Sequence, residues 1–327
     1  MPPSPFWRPP LHPNSVPLMK LVHPRYRAFT GTLTGTLTGT LTGTLAGALS
    51  GTLARFLSSA AIVLIGAMAL PSCSLISQFN LIPVEQDPVL GAEAYPQLLA
   101  EERTIDSGAD YDMVVRMTER LVQAAKAIDP EIANVFEWEV VLVRRDELVN
   151  AWCLPGGKMA VYTGILPVAD DGSGDVETGL AVVMGHEIAH ATLRHGTKAM
   201  TRQMGAETIL AMVGAALGEG DSAALAMMAG GLAANLGSLT FGRDAELEAD
   251  RRGLTYMATA GYDPRAAVSF WQRMNAASGG QAPPQWLSTH PSNENRIRQI
   301  ESLLPEVIPI YEQSRSSGGL KSFTPKD

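Results

Sequence analysis

Cysteine is almost missing: Cys73 and Cys153 are the only two in 327 residues. They can build neither a cysteine-rich zinc finger nor a disulfide framework. A single Cys73–Cys153 bridge is conceivable, but Cys73 has another role below, which leaves Cys153 an unpaired, small buried residue. Basic residues are also short, 25 Lys and Arg against 33 Asp and Glu. Residues 1–73 hold five of the basic ones and no acidic one, so residues 74–327 carry 20 basic against 33 acidic. That balance argues against nucleic acid as a partner, because phosphate contacts need a basic surface. Long apolar runs are scarce too. Phe56 to Leu70 gives fifteen residues, short of the roughly 20 that cross a bilayer as a helix.

Histidine is sparse, with six in the chain, yet two lie four residues apart in Gly185-His186-Glu187-Ile188-Ala189-His190. Ala181, Val182, Val183, Ile188, Ala189 and Leu193 make the surrounding stretch an apolar helix starting at Glu177 or Thr178. Positions four apart share one helix face, so His186 and His190 can grip one metal ion. A buried helix does not carry two His and a Glu without partners. Zinc takes imidazole nitrogen, and a catalytic zinc keeps three protein ligands and an open position. Glu187, beside the first ligand, suits a general base toward water at that position. His195 is five residues beyond His190. A continued helix would face it away from the ligands, as a C-terminal cap beside Gly196. The third ligand therefore comes from elsewhere.

The next dense polar cluster runs from Arg243 to Gly253. Glu246 and Asp250 are four apart and share a helix face. Glu246 would complete a His-His-Glu set. Asp250 could accept the free ring N–H of a ligand histidine and fix its orientation.

Along the rest of the chain, residues 1–54 read as a region without a fold. They include six tandem tetrads at 30–53, four of them Thr-Gly-Thr-Leu. Residues 55–73 read as an export signal: Arg55, the apolar run, then Leu70-Pro71-Ser72-Cys73. Its ending resembles a bacterial lipoprotein signal in which Cys73 is lipidated, anchoring the chain to a membrane. The alternative is an uncleaved anchor helix. Ser74 after the cysteine points to the outer membrane. Asp110 to Ile128 reads as a helix, with Met113, Met117, Leu121 and Ala124 on one face and Asp129-Pro130 as its stop. Alternation through Trp138, Val140 and Leu142 predicts a half-buried strand. Asn150 to Gly164 reads as strand, Pro-Gly-Gly turn, strand. Lys158 to Tyr162 is expected at the sheet edge, where an extended peptide could pair. Asn150, Gly156, Gly157, Lys158, Met159 and Ala160 are the candidate substrate contacts. Residues 204–240 read as a helical hairpin or lid over the site rather than membrane spans. A helix capped by Asp263 is expected to bury Phe270, Trp271 and Met274, and another to run from Asn293 to Leu304. Arg296 could pair with the acids around Asp250, and residues 313–327 read as disordered.

H-E-I-A-H, then R-D-A-E-L-E-A-D, G-Y-D-P and T-H-P-S-N-E-N-R-I, together with N-A-W-C-L-P-G-G-K-M-A-V-Y-T-G, resemble the M48 family of metallopeptidases. The resemblance covers about residues 75–312. It implies a zincin-like α+β core, mostly helical with a small sheet, in a domain spanning 74–312. It implies one zinc per chain on His186, His190 and Glu246, with Glu246 rather than Glu248 as the acidic ligand. In related proteases the histidine at position 290 approaches the metal, either as an oxyanion donor or as a fourth ligand that closes the site. The expected activity is metalloendopeptidase action on misfolded or unassembled envelope proteins. The expected setting is the periplasmic face of a membrane, beside outer-membrane assembly or quality-control proteins. The competing reading is a zinc-containing chaperone or binding module whose protease activity is latent.

Overall fold

The computed structural model describes residues 80–205, 208, 211, 213–214, 222–235, 241–278, 285–290 and 295–317. The tetrad repeat, the export segment and Cys73 lie outside the described residues. So does most of the first half of the 204–240 hairpin. The described residues fall within one compact unit, Cys73–Asp327.

Helix α1 (Asp87–Leu99) is followed by β1 (Thr104–Ile105), α2 (Ala109–Ile128), β2 (Glu139–Val143), β3 (Ala151–Cys153) and β4 (Lys158–Tyr162). The four strands form one sheet in the order β1-β2-β4-β3. β2 and β4 are parallel, while β1–β2 and β3–β4 are antiparallel. This corrects the expectation for Lys158 to Tyr162. β4 is bonded on both sides, so its backbone groups are satisfied and the free edge on that side is β3. It also corrects the half-buried reading of β2, because Val140, Val141, Leu142 and Val143 are all buried. Both faces of the sheet are covered. Val141, Val143, Trp152, Ala160 and Tyr162 pack with Leu90, Ala94 and Tyr95 of α1. The opposite face turns toward α2 and the central helix α3 (Val176–Thr192).

α3 is buried around its whole circumference: every residue from Gly179 to Thr192 is buried, and all but His186, Glu187, His190 and Thr192 are apolar or glycine. Such a helix sits in the core rather than on it. Asp175 caps its start by accepting the Thr178 N–H at 3.0 Å, which typically contributes about 1 kcal/mol. The helix ends at Thr192, and Arg194 turns the chain in a left-handed conformation (φ 58°) into α4 (His195–Met204). A non-glycine residue in that region is strained. Here Arg194 is held by Asp87, at 2.7 and 2.8 Å, and by the Ile82 carbonyl at 2.6 Å.

After α5 (Ser222–Asn235), which packs on α1, α6 (Arg243–Thr259) crosses α3. The crossing is glycine on glycine. A Cβ on Gly253 would stand 2.8 Å from the Gly185 carbonyl carbon and from the His186 nitrogen, and one on Gly185 would stand 2.9 Å from the Gly253 oxygen. The two backbones touch, which brings the acids of α6 within reach of the histidines of α3. Tyr256 of α6 locks the crossing by bonding Thr192 at 2.8 Å and Asp129. α7 (Ala266–Ser278) buries Phe270, Trp271 and Met274 as expected. The short α8 (Gln285–Thr289) precedes α9 (Arg296–Ser316). α9 continues through Pro305 and Pro309 to Ser316, so residues 313–316, expected to be disordered, are helical. No helix among the described residues is long and apolar enough to cross a membrane.

Candidate metal centre

His186 and His190 project from α3 toward Glu246 of α6 and His290, which follows α8; all four are buried. Nε2 of His186 lies 2.9 Å from Nε2 of His190 and 3.3 Å from Nδ1 of His290. Oε1 of Glu246 lies 3.3 Å from His190 Nε2 and 3.0 Å from His290 Nδ1. Tetrahedral zinc with bonds of roughly 2.0–2.1 Å has ligand atoms about 3.3 Å apart. These four separations are close to the edge lengths of such a tetrahedron, and all the donor atoms lie within 4.8 Å of one another. This donor set fits a metal ion.

The surroundings fix each donor. His186 Nδ1 is 2.9 Å from Asp250 Oδ1, so its Nδ1–H donates to the carboxylate and Nε2 is the nitrogen turned to the cluster. Arg296 donates from Nη1 to Glu246 Oε2 at 2.8 Å and from Nη2 to Asp250 Oδ1 at 2.7 Å. Its guanidinium lies 3.7 Å above the Trp271 ring. One buried cation thus ties both acids, and Glu246 keeps Oε1 for the centre. Burial opposes ionisation of Glu246, but hydrogen bonds and charge from the surrounding histidines outweigh it and hold its carboxyl far below the usual range. Burial likewise opposes ionisation of Asp250, which Arg296 and His186 outweigh. Burial also disfavours the charged form of His186, yet Asp250 and Glu246 lift its pKa to about 9. His190 is pushed down by burial and by the neighbouring charge of His186. The result is an anionic, buried nest for a cation.

Glu187 lies beside the cluster. Its Oε1 accepts from Trp286 Nε1 at 2.6 Å and stands 3.3 Å from His290 Nε2. The carboxylate also lines a cavity of about 170 Å³ together with His190, His290, Trp152, Cys153 and Leu232.

A model of the family described as Peptidase family M48 matches residues 109–304. The chain belongs to this family. Among curated relatives of this M48 chain is the mitochondrial metalloendopeptidase OMA1 of Schizosaccharomyces pombe, 33% identical over 234 residues. That alignment covers 70% of this chain and 64% of the relative. Human mitochondrial OMA1 is 32% identical, covering 67% of this chain and 42% of its own length. The beta-barrel assembly-enhancing protease of Escherichia coli K12 is 33% identical over 181 residues, covering 53% and 36%. The chain thus spans less than two thirds of each of these relatives. Family membership agrees with the zincin-like α+β core.

The structure brings His186, His190, Glu187, Glu246, Asp250, Arg296 and His290 into one cluster. It separates the six candidate substrate contacts. Asn150 lines the cavity beside the free edge β3. Gly156 and Gly157 form the turn, both with positive φ, and a Cβ on either would strike Pro88 or Trp138. Lys158, Met159 and Ala160 belong to the interior strand β4 and cannot pair with a peptide.

His195 is a correction. It is buried, its Nδ1 lies 2.9 Å from Nδ1 of His190, and its Nε2 lies 3.3 Å from Glu248. The expectation assumed a continuous helix; the left-handed turn at Arg194 folds the ring back under His190. Burial pushes its pKa down to about 4, with Glu248 only partly offsetting. Sequence reasoning also missed Trp286 and Phe241. Phe241 lies tilted against His190, centroids 4.2 Å apart, and Trp286 stacks on His290 at 4.9 Å. The spacing of Trp286, four residues before His290, was the available signal for the former. Phe241 had none.

Proposed function

We propose that the chain is a zinc-dependent metalloendopeptidase. The observation that carries this is the four buried donor atoms gathered within 4.8 Å of one another, with a carboxylate, Glu187, beside them. His186, His190 and Glu246 would hold zinc. When bound, zinc supplies Lewis acidity that polarises a peptide carbonyl and acidifies water. Glu187 takes the proton of the attacking water and delivers it to the departing amine. The Trp286 indole N–H holds Glu187 by donating to its Oε1 at 2.6 Å. A peptide in extended form would pair with the free edge β3, whose residues Ala151, Trp152 and Cys153 line the cavity with Glu187. Backbone pairing of this kind suits unfolded substrates, since it needs no particular side chain.

His290 favours a closed form of this enzyme. Its Nδ1 stands at the fourth corner, where a catalytic zinc keeps its open position. The backbone N–H of Trp286, in the preceding helix α8, is directed at the Val149 carbonyl at 3.4 Å, two residues before β3. This supports a role for His290 as a closing ligand, and it is the observation behind the second reading, a zinc-containing chaperone or binding module with latent protease activity. Digestion of unfolded casein by purified protein separates the two. Wild type should cleave, and Glu187→Gln should cleave at least ~100-fold more slowly. Equal rates would refute the mechanism.

The envelope setting rests on the export-like segment ending at Cys73 and on the bacterial relative named for β-barrel assembly. Misfolded or unassembled envelope proteins are the proposed substrates, and a lipid on Cys73 the proposed anchor at the periplasmic face of the outer membrane. Metabolic labelling with a radioactive fatty acid, present in wild type and absent in Cys73→Ala, tests the anchor; equal labelling would contradict it.

A further inference from the structure

The two histidines of the H-E-x-x-H pair are supported differently. His186 leans on a buried carboxylate, Asp250. His190 leans on another imidazole: its Nδ1 is 2.9 Å from Nδ1 of His195, with ring centroids 4.9 Å apart and planes at 71°. Two nitrogens that close share one proton. The far end of the chain settles its place. Glu248 is a carboxylate and can only accept, so Nε2–H of His195 donates to Glu248 across 3.3 Å. Nδ1 of His195 is then a bare acceptor and takes the Nδ1–H of His190. Nε2 of His190 is left with its lone pair directed at the cluster.

We propose that His195 is a positioning residue, which with Glu248 behind it fixes the tautomer and ring orientation of His190 as a metal ligand. The proposal rests on the reading that the cluster binds zinc. The backbone is built for this contact. Arg194 adopts a left-handed conformation (φ 58°), held by Asp87 and the Ile82 carbonyl, and this turn delivers the next residue beneath His190. His195 is 4% exposed. A helix cap, the role its sequence position suggests, would have faced water.

Zinc affinity, measured by competition with a chelating dye, tests the proposal without reference to peptidase activity. His195→Phe keeps a ring but removes the acceptor, and should weaken zinc binding about 10–100-fold, the usual consequence of losing such an outer partner. His195→Asn places an amide oxygen near the Nδ1 position and should recover affinity to within about threefold of wild type. Cobalt-substituted His195→Phe should show a changed visible ligand-field spectrum, and His195→Asn a spectrum like wild type. Glu248 has a side chain 56% exposed, so Glu248→Ala should fold normally and weaken zinc a few-fold. Unchanged affinity and spectrum in His195→Phe would overturn the proposal. So would equal losses in the Phe and Asn variants when both show wild-type circular dichroism, because that pattern belongs to packing alone. If His195→Phe fails to fold, Glu248→Ala and His195→Asn decide: wild-type zinc binding in the first rejects the relay. A wild-type protein that binds no zinc would refute the metal site itself, a separate outcome.

Discussion

Gly253→Ala is the substitution that bears hardest on how this site is assembled. Gly253 lies on α6, three residues past Asp250, where α6 meets α3. Its added methyl would stand 2.8 Å from two backbone atoms, the Gly185 carbonyl carbon and the His186 nitrogen. Carbon contacts settle near 3.5–4.0 Å, so the helices must part by about 0.7 Å. No flexible side chain is available to yield, because both neighbours are backbone. Overpacking of this kind costs about 1–3 kcal/mol, which in a domain of this size lowers the melting temperature by roughly 2–10 °C. The effect on metal should be larger than the effect on folding. Metal–ligand distances tolerate only about 0.2 Å, and Glu246 and Asp250 ride on one helix while both histidines ride on the other. Zinc affinity should fall by at least about tenfold. Differential scanning fluorimetry with and without zinc, beside a chelator-competition titration, reads both quantities. Gly230→Ala in α5 is the control. The nearest atom to its added methyl is the Gln97 side-chain oxygen, at 4.0 Å, so it should leave zinc unchanged and stabilise the fold by about 0.5–1 kcal/mol. Wild-type zinc affinity in Gly253→Ala would refute the idea that backbone contact sets the ligand geometry.

His290→Ala frees the fourth corner and should raise casein cleavage; a loss of activity would instead make His290 an oxyanion donor. Asp87→Asn leaves Arg194 without its carboxylate inside the fold, and breaking such a pair costs about 3 kcal/mol. Chemical denaturation measures this, and an unchanged midpoint would remove the Asp87–Arg194 clamp from the account. Zinc uptake should depend on pH with a definite sign. His186 in the metal-free protein, its pKa lifted to about 9 by Asp250 and Glu246 against the opposing effect of burial, holds a proton at neutral pH. Zinc must displace it, so affinity should rise about tenfold per pH unit below 9 and level off above. Calorimetry in buffers of different ionisation enthalpy should find about one proton released at pH 7. Release of none would contradict the proton on His186.

The parts of the site legible in the sequence are those set by one helix at a time. His186 and His190 share a face because the helical repeat requires it, and Glu246 and Asp250 for the same reason. The helix Ala109–Ile128 was readable from its apolar spacing and from Asp129-Pro130. Sheet order was not readable. Local alternation reveals that Lys158 to Tyr162 is a strand and that Ala151 to Cys153 returns beside it. It carries no sign that Glu139–Val143, from earlier in the chain, occupies the other flank in parallel. The burial of Val141 was hidden likewise, because the helix that covers it comes from residues 87–99. His195 escaped because a single left-handed residue, Arg194, reverses the direction that a continued helix would give. That conformation depends on Asp87, more than a hundred positions away. Trp286 holds Glu187 through a similarly distant contact.

The most direct measurement is the metal content of purified protein, compared with His186→Ala and Glu246→Ala. The account predicts one zinc per wild-type chain and loss of that ion in both variants, with the fold retained by circular dichroism. Zinc held at the wild-type level in Glu246→Ala, or none in the wild type purified with zinc present, would contradict it.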